Sequence, residues 1–274
     1  MTVRIALALA TLGLASAAVV TDLATGVAPA LAQRSGKAKP PKPACDLKGF
    51  PLVVGNSWTF VPTAAPAQPP EAMLRFIPPQ PQKVKLTVAA IAPGAGGTTV
   101  VTLDEDVDGR ILHPTITCGS GKFDITPDSI LFAAEPGGYF GIELTSWQRK
   151  GTTWQVSKGG LVGPEWREDI AATWKRVPSE GIQAELGDGK LEMERRFVIQ
   201  KKETITKMGS GESWSALGVA IEITGRVILP GVERPAEMPA GWVNWIWLAD
   251  GVGPVQFRNS YFHQYTVSEL TLVK

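Results

Sequence analysis

From residue 190 to residue 204 the chain alternates with a period of two. Leu191, Met193, Phe197 and Ile199 fall on one side; Glu192, Glu194, Arg196, Gln200 and Lys202 fall on the other. An extended strand sends successive side chains to opposite faces, so this pattern specifies a sheet with one buried and one wet face. Residues 84–90 repeat it, with Val84, Leu86, Val88 and Ala90 against Lys85 and Thr87. In 165–176, Trp166, Ile170, Ala172 and Trp174 oppose Arg167, Asp169, Thr173 and Lys175, and similar runs occupy 219–229 and 265–273. Glycine-containing turns separate them at 94–97, Asp108-Gly109, Gly159-Gly160, Asp188-Gly189 and 209–211. No stretch of a dozen residues holds a 3.6 period. The expected class is all-β, an antiparallel meander. Its apolar face must be covered by curling into a barrel, closed or unclosed, or by folding into a sandwich. Periodicity does not choose among these.

Residues 1–32 have the form of a secretory signal peptide. Arg4 supplies the positive start, an apolar run extends from Ile5 to Val20, and Ala30-Leu31-Ala32 forms a small-residue cleavage site before Gln33. The run of about 16 residues is short of the ~20 that a membrane-spanning helix needs. Lys42-Pro43-Ala44 before Cys45 lacks the hydrophobic residue of a lipoprotein signal, so no lipid anchor is expected. The mature chain has no second long apolar segment, and a soluble periplasmic or secreted protein is expected. Residues 33–44, basic and proline-rich, form a tether. A single β domain over 45–274 follows, interrupted by an insert at 62–82 in which seven prolines allow at most a turn of helix around 71–76. In an oxidising compartment two cysteines pair, and Cys45–Cys118 is the expected disulfide. It would close a loop of about 70 residues, worth ~4 kcal/mol by chain entropy.

Lys plus Arg number 27 against 26 Asp plus Glu, a formal charge of +1, which gives no electrostatic reason to expect a nucleic-acid or anionic-membrane partner. Two His and two Cys exclude most zinc sites built within one chain. The sharpest local signal is Asp104-Glu105-Asp106-Val107-Asp108-Gly109, the first half of a calcium loop. Its twelfth position is Thr115 instead of a bidentate Glu. The acids therefore form either a weak calcium site on Asp104, Asp106 and Asp108 or an Asp-Gly hairpin turn with solvated carboxylates. No other cofactor is expected. Hydrolase signals are poor: no G-x-S-x-G elbow occurs, His113 precedes Pro114, and His263 sits among Tyr261, Phe262 and Tyr265. Glu192 and Glu194 could mimic a glycosidase pair but share a wet face with Arg196. No catalytic residue is assigned.

In 241–248, Trp245 and Trp247 share one face while Trp242, Ile246 and Leu248 share the other. A strand apolar on both sides is covered on both sides. Plain double burial and an apolar-ligand groove on Trp242, Trp245 and Trp247 both fit.

Two stretches carry a family resemblance. Pro51-Leu52-Val53-Val54-Gly55-Asn56-Ser57-Trp58 resembles the PL-x-x-G-N-S-W start of secreted bacterial β domains of unknown function. Trp247-Leu248-Ala249-Asp250-Gly251-Val252-Gly253-Pro254-Val255 resembles the W-x-x-x-G-V-G-x-V close of the same domains. Such domains are similar to the curled, unclosed β-barrels of periplasmic lipoprotein and lipid carriers, which implies a concave apolar face and carries over no catalytic residue. The long insert after the first strand departs from the pattern. Three functions are then open: binding an apolar small molecule or envelope protein on a concave sheet, a structural or interaction module of the envelope, or an unrecognised hydrolase.

Overall fold

The computed structural model describes residues 44–63, 80–133, 142–151, 154–176, 189–207, 209–228, 236–261 and 265–273. The predicted signal, nearly all of the tether, most of the proline-rich insert and His263 lie outside the described residues. Those described belong to one unit, Pro41–Lys274.

The first strands are β1 (Ser57–Pro62), β2 (Val84–Pro93), β3 (Thr99–Val107), β4 (Arg110–Leu112), β5 (Thr115–Gly119) and β6 (Lys122–Ile125). Then come β7 (Ile142–Gly151), β8 (Trp154–Ser157), β9 (Gly160–Val162), β10 (Glu165–Arg176) and β11 (Gly189–Thr206). The last are β12 (Ser213–Ile228), β13 (Ala236–Ala249), β14 (Gly253–Tyr261) and β15 (Tyr265–Leu272). Helix among the described residues is limited to the turn Ile130–Ala133 and a 3-10 turn, Ala95–Gly97.

All fifteen strands join one antiparallel sheet in the order β7-β10-β11-β12-β13-β14-β15-β1-β2-β3-β5-β6-β8-β9, with β4 added on β3. The sheet is curled and not closed, which resolves the choice that periodicity left open. The faces read from alternation are the ones buried: Trp166, Ile170, Ala172 and Trp174 on β10, and Leu191, Met193 and Phe197 on β11.

Both ends of the strand order come from one stretch of chain. β7 pairs β10 through Glu168↔Gly151, and β8 pairs β9 through Gln155↔Val162. Together these are the halves of one long hairpin, broken on its second strand at Gly163-Pro164, where Gly163 has φ +92°. The tip half joins β6 through Phe123↔Trp154, and the base half joins β11 through Glu165↔Val198 to Trp174↔Gly189. The hairpin thus supplies each edge of the curl.

Before β1, the chain is tied at several points. Ala44 pairs with Leu52, Lys48 N donates to Gly159 O (2.8 Å), and Gly251 N donates to Lys48 O (2.8 Å). Cys45 is bonded to Cys118 on β5, with their Cα atoms 5.6 Å apart. This segment drives Phe50 and Leu52 into the core, where each is at most 1% exposed.

Candidate functional site

The concave face is the place where a curled sheet could hold something, and a continuous column of rings crosses it. Phe60 on β1 meets Phe257 on β14 edge-on at 5.0 Å, and Phe257 meets Phe132 edge-on at 5.6 Å. Phe132 stacks on Phe50 at 4.8 Å, and Phe50 tilts against Phe123 on β6 at 6.3 Å. Phe123 stacks on Trp154 at 5.8 Å, and Trp154 stacks on Trp166 of β10 at 6.1 Å. All of these rings are buried. Aromatic pairs at such separations contribute beyond their buried area, so the column is a strong packing element.

Two of its rings come from outside the sheet, Phe50 from the N-terminal segment and Phe132 from the turn Ile130–Ala133. Polar ties hold that turn in place. Glu105 on β3, fully buried, accepts hydrogen bonds from Ser129 Oγ and Leu131 N, both at 2.8 Å. Ser129 Oγ in turn accepts from Phe132 N at 2.9 Å. From the opposite wall, Asn244 Nδ2 on β13 donates to Ile130 O at 3.3 Å, and Asn259 Nδ2 on β14 donates to Asn244 Oδ1. Burial pushes the Glu105 carboxyl up to about 7, against the opposing pull of the Ser129 and Leu131 hydrogen bonds.

A second buried polar group ties the hairpin halves to the sheet. Arg149 on β7 contacts Asp124 on β6 and donates through Nε to Glu168 Oε2 on β10 at 2.9 Å. Glu168 Oε1 lies 2.6 Å from the Arg195 guanidinium on β11, which also sits 5.7 Å from the Phe197 ring. Arg195 is fully buried, and burial lowers it to about 10 against the pull of Glu168. Burial raises Asp124 against the attraction of Arg149. Burial alone would lower Arg149, but Glu168 and Asp124 outweigh it and hold the guanidinium above its ordinary value.

Sequence reading missed Glu105, Glu168 and Arg195, although the signal was present. Glu105 is in phase with Val101 and Leu103, Glu168 with Trp166 and Ile170, and Arg195 with Met193 and Phe197. Strand parity alone places all three inside.

The acidic run does not gather into a cluster. Asp104 and His113 Nδ1 are 2.9 Å apart, Asp106 Oδ1 accepts from Gly109 N at 2.8 Å, and Asp108 accepts from Lys83 N at 2.8 Å. Asp108 and Gly109, with φ +50° and +91°, make the two-residue turn between β3 and β4. Among the described residues no three His, Cys, Asp or Glu side chains converge as a metal set.

On β13 both faces are buried from Val243 to Ala249, Trp245 being half-buried. Trp247 is committed to the protein: its Nε1 donates to Glu203 Oε2 at 3.1 Å, and the Arg258 guanidinium lies 5.3 Å from its ring. Trp245 packs against the core beside Ala220 and Arg258 in the ladder. The Trp242 backbone pairs with Ile223 and Tyr261, and its side chain falls outside the described set.

The two motifs that carried the family resemblance meet. Trp58 Nε1 donates to Val252 O at 2.7 Å, and a Cβ on Gly253 would stand 2.5 Å from that same nitrogen. Gly253 has φ +114°, so glycine answers both the backbone angle and the approach of the indole.

On the outer face, β7, β10, β11 and β12 form an open groove of about 560 Å3. Lys150, Asp169, Ala171, Glu192, Glu194, Thr224 and Arg226 line it. The Arg226–Glu192 ion pair lies in it, and further along the same strands the Arg196 guanidinium is held between Glu165 and Glu222 at 2.8 Å each. Hydrogen bonds from Arg196 and Arg167 bring the Glu165 carboxyl down to about 2.

No family model matches the chain, and no curated protein does. Two solved structures match over most of their length. One is a candidate lipoprotein from Parabacteroides distasonis ATCC 8503, with a TM-score of 0.50 and 14% identity over 83% of this chain and 97% of that one. The other is a candidate exported protein with a YmcC-like fold from Bacteroides fragilis NCTC 9343, with a TM-score of 0.44 and 12% identity over 81% and 96%. The first likeness shows the fold and nothing finer. Among the described residues no helix is long and apolar enough to cross a membrane.

Proposed function

We propose that this chain is exported to the periplasm or beyond and works there by binding, as an interaction module of the cell envelope. The observation that carries this reading is the ring column from Phe60 to Trp166, which occupies the concave face with the protein's own side chains. An apolar ligand on that face would have to displace Phe50 and Phe132, two of the most buried side chains in the molecule. The form of residues 1–32 and the Cys45–Cys118 bond support export. The interior acids and bases support binding over catalysis, since Glu105, Glu168 and Arg195 are each engaged in ties that hold the fold together.

The proposed contact surface is the outer groove over β7, β10, β11 and β12, where charges of both signs border the small side chain of Ala171. A photo-crosslinking residue at Ala171 in the exported protein should give one discrete adduct with an envelope component. Reversing charge with Arg226→Glu should suppress it. No adduct, or the same yield with and without the reversal, contradicts the assignment of this surface.

A further inference from the structure

The sheet is joined very unevenly along its length. β11 and β12 stay paired from Lys190↔Ile228 to Thr206↔Ser213, and β12 and β13 from Ala216↔Ala249 to Val227↔Ala236. Where β6 meets the kinked hairpin, the pairs are Lys122↔Gln155 and Phe123↔Trp154. Val156 N to Gly121 O (2.7 Å) and Lys48 N to Gly159 O (2.8 Å) add two hydrogen bonds. β7 has no backbone partner on its other side among the described residues. Side chains carry the rest of that join. Arg149 reaches Asp124, and Trp154 is stacked between Phe123 and Trp166. Local openings start where few backbone bonds and few packed groups must be given up. An ion pair taken out of water returns little net stability on top of that.

We propose that the curled sheet opens along the line between β6 and the hairpin, with the Asp124–Arg149 contact as its latch. The base half of the hairpin stays with β11, to which it is fixed by the β10 ladder and by Ile199 N donating to Pro164 O at 3.1 Å. The tip half, β8 and β9, stays with the base half through Trp154 against Trp166 and Phe197, so opening parts the Arg149–Asp124 contact and the Lys122↔Gln155 and Phe123↔Trp154 pairs together. Opening withdraws Trp154 from Phe123 and uncovers both rings.

Hydrogen exchange of the intact, oxidised protein, read amide by amide, tests this. The Val156 amide should exchange at least ~100-fold faster than amides in the β12–β13 ladder, because it reports a local opening and they report global unfolding. Asp124→Asn should speed Val156 a further ~10-fold and leave the β12–β13 amides unchanged. A Val156 amide as slow as the β12–β13 amides would overturn the proposal in the unaltered protein. So would an Asp124→Asn effect spread equally over the whole sheet.

Discussion

The sector β12–β13–β14–β15–β1 and the sector around the hairpin, β6–β8–β9 with β7–β10, are made of similar strands but held together by different means. In the first, backbone ladders set the geometry, with one register shift each in β12–β13, β13–β14 and β14–β15, and side chains pack onto that frame. Where the chain must approach itself closely, glycine makes room, as at Gly253 under Trp58. In the second, β10 keeps its ladders with β7 and β11, but between β6 and β8 backbone pairing falls to Lys122↔Gln155 and Phe123↔Trp154, and charges and stacked rings bridge the strands. Ladders tolerate the loss of a side chain better than a join made of side chains. Buried charges also carry a desolvation cost that falls on whichever partner is left alone.

The sharpest way to break this contrast is at Arg195. Arg195→Met leaves the buried Glu168 with Arg149 on Oε2 and no cation on Oε1, and should cost about 3–5 kcal/mol in chemical denaturation. The double variant Arg195→Met, Glu168→Leu should recover most of that loss, since two apolar groups replace a pair whose charges were costly to bury. A double variant as damaged as the single would show that the ion pair, not its desolvation, dominates this sector.

Glu105 gives the next largest effect, on the plug that fills the concave face. Burial pushes its carboxyl up to about 7 in the fold from an ordinary value of 4.5. Between those values the folded state holds more protons than the unfolded, so stability falls as pH rises from about 4.5 to about 7 and levels off above. The shift corresponds to about 3 kcal/mol in magnitude. Glu105→Gln should flatten this part of the stability curve, and parallel curves for variant and parent would contradict the assignment. Raised Asp124 contributes with the same sign, so the difference between the two proteins is the quantity to read. The smallest effect is expected in the ladder sector. Trp247→Phe loses the Glu203 hydrogen bond but keeps a ring under Arg258, and should cost about 1 kcal/mol by thermal or chemical unfolding.

Sequence made the strands legible because alternation is local. The run 165–176 coincides with β10, and 190–204 lies inside β11. Parity also held the inward positions of Glu105, Glu168 and Arg195, which the reading by charge passed over. What alternation could not show is pairing between distant segments: that one hairpin serves both edges of the sheet, or that Phe50 and Phe132 meet across the interior. A helical turn of four residues, Ile130–Ala133, is too short to leave a periodic trace. Its role appears only when Glu105 and Asn244 are seen on either side of it. The family motifs at the two ends were legible as motifs, and their meeting at Trp58 and Gly253 was not.

The central claim is that the concave face is filled by this protein's own rings. Native mass spectrometry of the exported, oxidised protein, purified without detergent, tests it directly. The predicted result is the mass of the disulfide-bonded polypeptide alone, with no lipid or other apolar molecule released on organic extraction. A stoichiometric apolar adduct, lost on denaturation, would contradict the claim and return the protein to the carriers.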